Sequence, residues 1–132
     1  MAIALTLLQE SCLSRDIYLF DTFEGMTMPS EEDKLVDGTR ADDILNADQH
    51  RSGLVWAVSS IQDVMHNMRS TGYPDSKIRY IKGPVESTIP RNSPTEPIAL
   101  LRLDTDWYES TKHELIHLFP KIVDGGILIR AC

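Results

Sequence analysis

The sequence predicts an α/β fold in which helices cover a mainly parallel sheet, and three observations lead there. The chain has 132 residues, 42% hydrophobic and 25% charged, which suits one globular domain of roughly 100–200 residues. Its elements read helix, strand, helix, strand, strand, helix, strand. Its strands are short apolar runs rather than alternating ones, as buried parallel strands are.

Residues 2–13 hold Ile3, Leu5, Leu7, Leu8 and Leu13, dense enough to predict a buried helix. Residues 16–21 (DIYLFD) form an apolar, aromatic run ending in an acid, read as a buried strand. Residues 22–53 change character, being rich in acids, Ser, Gly and Asn. A stretch that long inside a compact domain reads as a lid-like insertion. The next helix is predicted over 59–71. Ser59 with Gln62, or Ser60 with Asp63, makes a capping-box start, and Ile61, Val64, Met65 and Met68 supply the apolar face. Gly72 and Pro74 stop it. Residues 77–82 (KIRYIK) read as a strand. The four prolines of 83–97 leave room for a short helical turn at most. Residues 98–103 (IALLRL) form the best strand and run into Asp104-Thr105-Asp106. A helix over 109–119 closes at Pro120, and Gly125-Gly126 turns into a last strand at 127–129.

Twenty acidic against thirteen basic side chains leave a formal charge of −7. That balance argues against binding nucleic acid or an anionic membrane through bulk electrostatics. No apolar run reaches the ~18 residues of a membrane span. The N-terminal MAIALTLLQESCL lacks the basic start and small-residue cleavage site of a signal peptide. Two cysteines near opposite ends, Cys12 and Cys132, point to a reduced compartment. The expected localisation is cytoplasmic.

In open parallel sheets, ligands bind beyond the carboxyl ends of the strands. Asp21-Thr22-Phe23-Glu24-Gly25, Gly83-Pro84-Val85-Glu86 and Asp104-Thr105-Asp106 all fall there. Asp21 suits an acid that accepts hydrogen bonds from ribose hydroxyls, although strand tips also carry acids because they face water. Asp104 and Asp106 alternate along an extended chain, so two hard oxygen ligands can converge on Mg²⁺. Alternatively, Asp106 caps the following helix. His113-Glu114-Leu115-Ile116-His117 matches H-E-x-x-H, the zinc protease spacing. With Thr111, Leu115, Leu118 and Phe119 taken as the core side, both histidines point away from it, and no third ligand is evident. That motif reads as a solvated polar face. His50, in the lid-like segment, is a candidate general base, and His66 reads as a surface residue.

Taken together, DIYLFDTFEGM, KGPVESTIP and ALLRLDTDWYESTKHELIHLFPKIVDGGILI closely resemble the macrocin O-methyltransferase family, over residues 17–129. The resemblance implies a class I, S-adenosylmethionine-dependent methyltransferase with a Rossmann-like sheet, acting on sugar hydroxyls of macrolide-like or other glycosylated metabolites. It implies that Asp21, Thr22 and Phe23 meet the cofactor ribose. It places Gly83, Val85 and Glu86 near the adenine. Asp104 and Asp106 would be ligands of a Mg²⁺ that holds the sugar hydroxyls, and His50 the base that removes the hydroxyl proton.

Two departures bear on activity. The family's last strand here runs into two adjacent aspartates, where this sequence has Ala131 and Cys132. The family's glycine-rich loop and the strand before it would precede residue 1. Strand 1 is central in the order 3-2-1-4-5, so the expectation is a partial sheet, truncated at both ends, without its central and last strands. Pairs 3-2 and 4-5 then have inner edges that close on each other, stay open, or are completed by another chain. Residues 1–132 are expected to form one partial domain with little methyltransferase activity alone, and a homo-oligomer or complementing chain is a possible partner. The rival readings are a nucleotide-sugar glycosyltransferase with an Asp-x-Asp metal site and a non-catalytic remnant.

Overall fold

The structure is a computed structural model that describes residues 1–35, 37–47 and 59–130. Helix α1 spans Ala2–Gln9 and strand β1 spans Ile17–Asp21. Helix α2 (Ala41–Ala47) lies within the lid-like segment. Helix α3 (Ile61–Ser70), strand β2 (Ile78–Lys82), the short helix α4 (Val85–Thr88), strand β3 (Ile98–Leu103), helix α5 (Tyr108–Leu118) and strand β4 (Ile122–Arg130) follow.

All pairing between the four described strands is parallel, and it is divided, while an isolated antiparallel bridge joins Lys34 to Arg40. Strand β1 pairs with β2 from Ile17↔Ile78 to Asp21↔Lys82. Strand β3 pairs with β4, with a register shift between Ile98 and Leu100. The two pairs form separate two-stranded sheets. Among the described residues, neither β1 nor β3 pairs with a strand of the other sheet.

Each pair builds its own core. Ala4, Ile17, Met68, Tyr73 and Ile78 are buried together, placing α1 and α3 against β1 and β2. Tyr73 reaches across to donate its hydroxyl to the Arg15 carbonyl at 2.6 Å. Val85, Ile89, Leu101, Leu103 and Leu118 form the second cluster. Phe20 of β1 packs against that second cluster as well, so the apolar surface is continuous where the ladders are not.

Several expectations need correction. Helix α1 ends at Gln9, and Ser11 sits at φ +56°. Only Ala4 of α1 is fully buried, while Ile3, Leu5 and Leu13 are exposed, so this apolar segment is not an interior helix here. Of the two expected capping-box starts, the one with Ser60 is formed: it is the N-cap of α3, accepting from the Asp63 N–H at 3.2 Å and donating to the Asp63 carboxylate at 2.6 Å. The last strand begins at Ile122, ahead of Gly125-Gly126. Those glycines mark an irregularity inside β4 rather than its start, because Gly125 at φ +77° bends the strand without ending its pairing.

Candidate functional site

The parallel pairing of β1 and β2 brings two of the three sequence segments together. The Gly83 N–H donates to the Asp21 main-chain carbonyl at 2.9 Å, so the chain leaves both strands at one point. Beyond β1 the backbone turns sharply. The Phe23 N–H donates to Asp21 Oδ1 at 3.0 Å, and the Thr22 hydroxyl donates to the Gly25 carbonyl. Phe23 is buried at φ +54°. Asp21 is exposed, and its Oδ2 has no hydrogen-bond partner among the described residues. Lys82 pairs with Glu24 across the tips.

Beyond β2, Gly83 takes φ +135°, and a Cβ there would lie 3.1 Å from Thr88 Cγ2. This turn leads directly into α4, whose Val85 is buried in the second core cluster. Val85 therefore offers a ligand its backbone rather than its side chain. The Glu86 carboxylate accepts from the Ser110 hydroxyl, which ties α4 to α5.

The third segment follows β3. Asp104 and Asp106 are exposed, and the Arg102 guanidinium lies 2.7 Å from the Asp104 carboxylate. Alternation along the strand puts Arg102 and Asp104 on one side. No group of three or more His, Cys, Asp or Glu able to hold a metal exists among the described residues. Two carboxylates, one already neutralised by a guanidinium, are the right donor type for Mg²⁺ but too few to enclose it. His50, Ala131 and Cys132 lie outside the described residues.

Asp106 does not cap α5. Trp107 occupies the N-cap position and supplies no side-chain bond. The Tyr108 N–H instead donates to Asp33 Oδ1 at 2.7 Å, an acceptor from the lid-like segment. Asp33 also accepts from the Ser30 N–H at 2.7 Å and the Ser30 hydroxyl at 2.8 Å. Burial alone would raise its pKa, but these three donors outweigh burial and hold the carboxyl below its usual range. The Trp107 indole N–H donates to the Thr27 carbonyl at 2.9 Å, a second tie of the same kind. Trp107 and Asp33 border two cavities. One of about 370 Å³ also touches Met28, Pro84 and Glu86. The other, of about 380 Å³, touches Asp106, Tyr108 and Arg130.

The inward face of α5 is Ser110, Glu114 and Leu118, not the side built on Leu115 and Phe119, which are exposed. Glu114 thus points into the protein, its Oε2 accepting from the Thr105 hydroxyl at 2.7 Å. Burial, foremost, pushes its pKa up, with help from Glu86, against the opposing Thr105 hydroxyl and His113. His113 Nε2 lies 2.9 Å from the Ile89 carbonyl, so it is not turned wholly to solvent. An H-E-x-x-H zinc centre needs its glutamate beside the histidine-bound metal, and here the glutamate serves Thr105 instead. His66 is exposed, as expected.

Asp33, Trp107 and Glu114 escaped the sequence reading as site residues. Ser30-x-x-Asp33 is a local turn pattern that flags Asp33, but nothing nearby names Tyr108 as its second partner.

Short parallel strands carrying acidic and glycine-bearing turns at their carboxyl ends define an α/β fold, and solved methyltransferase structures share it. The O-methyltransferase NovP superposes with a TM-score of 0.69 at 31% identity, covering 94% of this chain and 48% of that one. The calicheamicin methyltransferase CalS11, at 23% identity and TM-score 0.62, shares the fold over 88% of this chain and 45% of its own. The family model for macrocin O-methyltransferase (TylF) matches residues 1–130, and the chain belongs to that family. Among curated relatives, demethyldecarbamoylnovobiocin O-methyltransferase of Streptomyces niveus is 33% identical over 115 residues, 87% of this chain and 40% of that protein. The 8-demethyl-8-(2,3-dimethoxy-alpha-L-rhamnosyl)-tetracenomycin-C 4'-O-methyltransferase of Streptomyces olivaceus is 32% identical over 116 residues, 88% of this chain and 41% of that protein. The chain therefore spans about two-fifths of the curated relatives it matches. None of these matches favours the glycosyltransferase reading.

Proposed function

We propose that this chain is the cofactor-facing portion of an S-adenosylmethionine-dependent sugar O-methyltransferase. The observation that carries the reading is the hydrogen bond joining the Asp21 carbonyl to Gly83, because it sets the Asp21 carboxylate, whose Oδ2 has no partner among the described residues, beside a glycine turn at the tips of two parallel strands. In this reading Asp21 Oδ2 accepts from a ribose hydroxyl, and Thr22 and Phe23 shape its turn. Gly83, Val85 and Glu86 border the adenine. The bound cofactor supplies an electrophilic methyl group, and the chain's residues bind and orient it.

The acceptor we propose is a sugar hydroxyl on a glycosylated metabolite, by analogy with the relatives' names. Asp104 and Asp106 are this chain's share of a Mg²⁺ site. They provide two of the oxygens that ion requires. His50 remains the proposed base. Residues 1–132 are proposed as one partial domain with 22–53 as its lid. The proposed setting is cytoplasmic; no described helix is long and apolar enough to cross a membrane. A second copy or a complementing chain is the proposed partner for the edges of β1 and β3 that pair with no strand among the described residues.

The test is titration of the chain with S-adenosylhomocysteine, followed by amide NMR. Shifts confined to residues 21–25 and 83–86, and about tenfold weaker binding in Asp21→Ala, are expected. No shift at these amides, or shifts elsewhere that ignore Asp21→Ala, would refute the reading.

A further inference from the structure

The glutamate of the H-E-x-x-H segment lies outside the proposed cofactor site, yet it is among the most buried charged groups described, at 7% exposure. An ionised carboxylate in that position costs desolvation energy that an apolar side chain of similar size would avoid. What the carboxylate supplies is an acceptor. Glu114 Oε2 takes the Thr105 hydroxyl at 2.7 Å. The Thr111 hydroxyl, one turn before Glu114, lies 3.1 Å from the Thr105 hydroxyl and 3.2 Å from the Thr105 carbonyl. Thr105 is therefore tied to α5 through both its side chain and its main chain.

The consequence for its neighbours is geometric. Successive side chains of an extended segment face opposite ways, so drawing Thr105 inward turns Asp104 and Asp106 outward together. Ser110, on the same face of α5, holds Glu86. One helix face thus secures both the segment beyond β2 and the segment beyond β3.

We infer that Glu114 is a positioning residue, which acts through the Thr105 hydroxyl to hold the Asp104–Asp106 turn with both acids presented on one side. What those acids then bind rests on the proposed function; the positioning does not. Thr105→Val keeps the shape and removes the donor, Glu114→Gln keeps an acceptor oxygen, and Glu114→Ala removes it.

The readout is backbone ¹⁵N relaxation of the whole chain. Order parameters at Asp104, Thr105 and Asp106 are expected to fall from about 0.85 to below about 0.6 in Thr105→Val and Glu114→Ala, with mid-α5 amides unchanged. The double variant should be no more mobile than either single one, and Glu114→Gln should stay near the wild type. If Glu114→Ala does not fold, the near-isosteric Thr105→Val still decides. Unchanged order parameters in Thr105→Val, or Glu114→Gln as mobile as Thr105→Val, would overturn the inference. Added Mn²⁺ separates the two readings: failure to broaden these amides in the wild type overturns the cation role of Asp104 and Asp106 and leaves the positioning result standing on the relaxation data.

Discussion

Replacing Asp33 with alanine removes one acceptor from three donors at once. The Tyr108 N–H at the start of α5 loses its cap, and the Ser30 N–H and hydroxyl lose theirs, at a residue only 8% exposed. Loss of a side-chain N-cap costs about 1 kcal/mol and up to ~2. The two Ser30 bonds are charge-assisted but local, worth about 1 kcal/mol more together after competition with water. The sum, about 2–3 kcal/mol, is a large share of the ~5–15 kcal/mol typical of a folded domain. For a chain of this length each kcal/mol moves the melting temperature by roughly 3–4 °C, so Asp33→Ala should melt about 6–12 °C lower. Asp33→Asn keeps one oxygen for Tyr108 and should recover about half of that. Circular dichroism melts near neutral pH, paired with exchange of the Tyr108 amide, measure both the global and the local effect. The pH dependence carries a sign. The folded-state pKa of Asp33 is depressed, so its contribution is complete above the ordinary value of about 3.9 and fades as pH falls through the lowered one. Wild type and variant should converge in acid. A variant melting within about 2 °C of wild type at neutral pH, with Tyr108 exchange unchanged, would refute the claim that the lid-like segment caps α5.

Two further outcomes follow from the same structure. The folded-state pKa of Glu114 is raised, so the folded state holds that proton more tightly and stability declines as pH rises from about 4.3 through the raised value. Glu86 and His113 face the same group. Glu114→Gln should abolish that decline in a pH series of denaturant titrations, and a variant with the wild-type slope would show that the burial penalty is absent. Gly83→Ala forces a side chain into φ +135° with a contact at 3.1 Å, costing about 1–3 kcal/mol. It should also weaken S-adenosylhomocysteine binding in the NMR titration, and an alanine variant as stable as wild type would contradict the tight turn.

What the sequence determined by itself is local. Apolar runs marked β1, β2 and β3, Ser60 with Asp63 started α3, and the residues beyond three strands suggested where ligands would meet the sheet. These signals are legible because each is written within a few adjacent positions. Strand periodicity, capping distance and turn chemistry do not depend on remote partners. Tertiary structure decided the rest. It turned Glu114 inward to Thr105, although the helix could be rotated either way by its ambiguous apolar pattern. It left α1 mostly exposed despite its hydrophobicity, because burial requires a partner surface and not only apolar residues. It also chose Asp33, 75 residues distant in sequence, over the adjacent Asp106 as acceptor for the first amide of α5. A hydrogen bond over that separation is stable only after the loop between its ends has been closed by the packing of the strands, and no pattern of neighbouring residues records that closure.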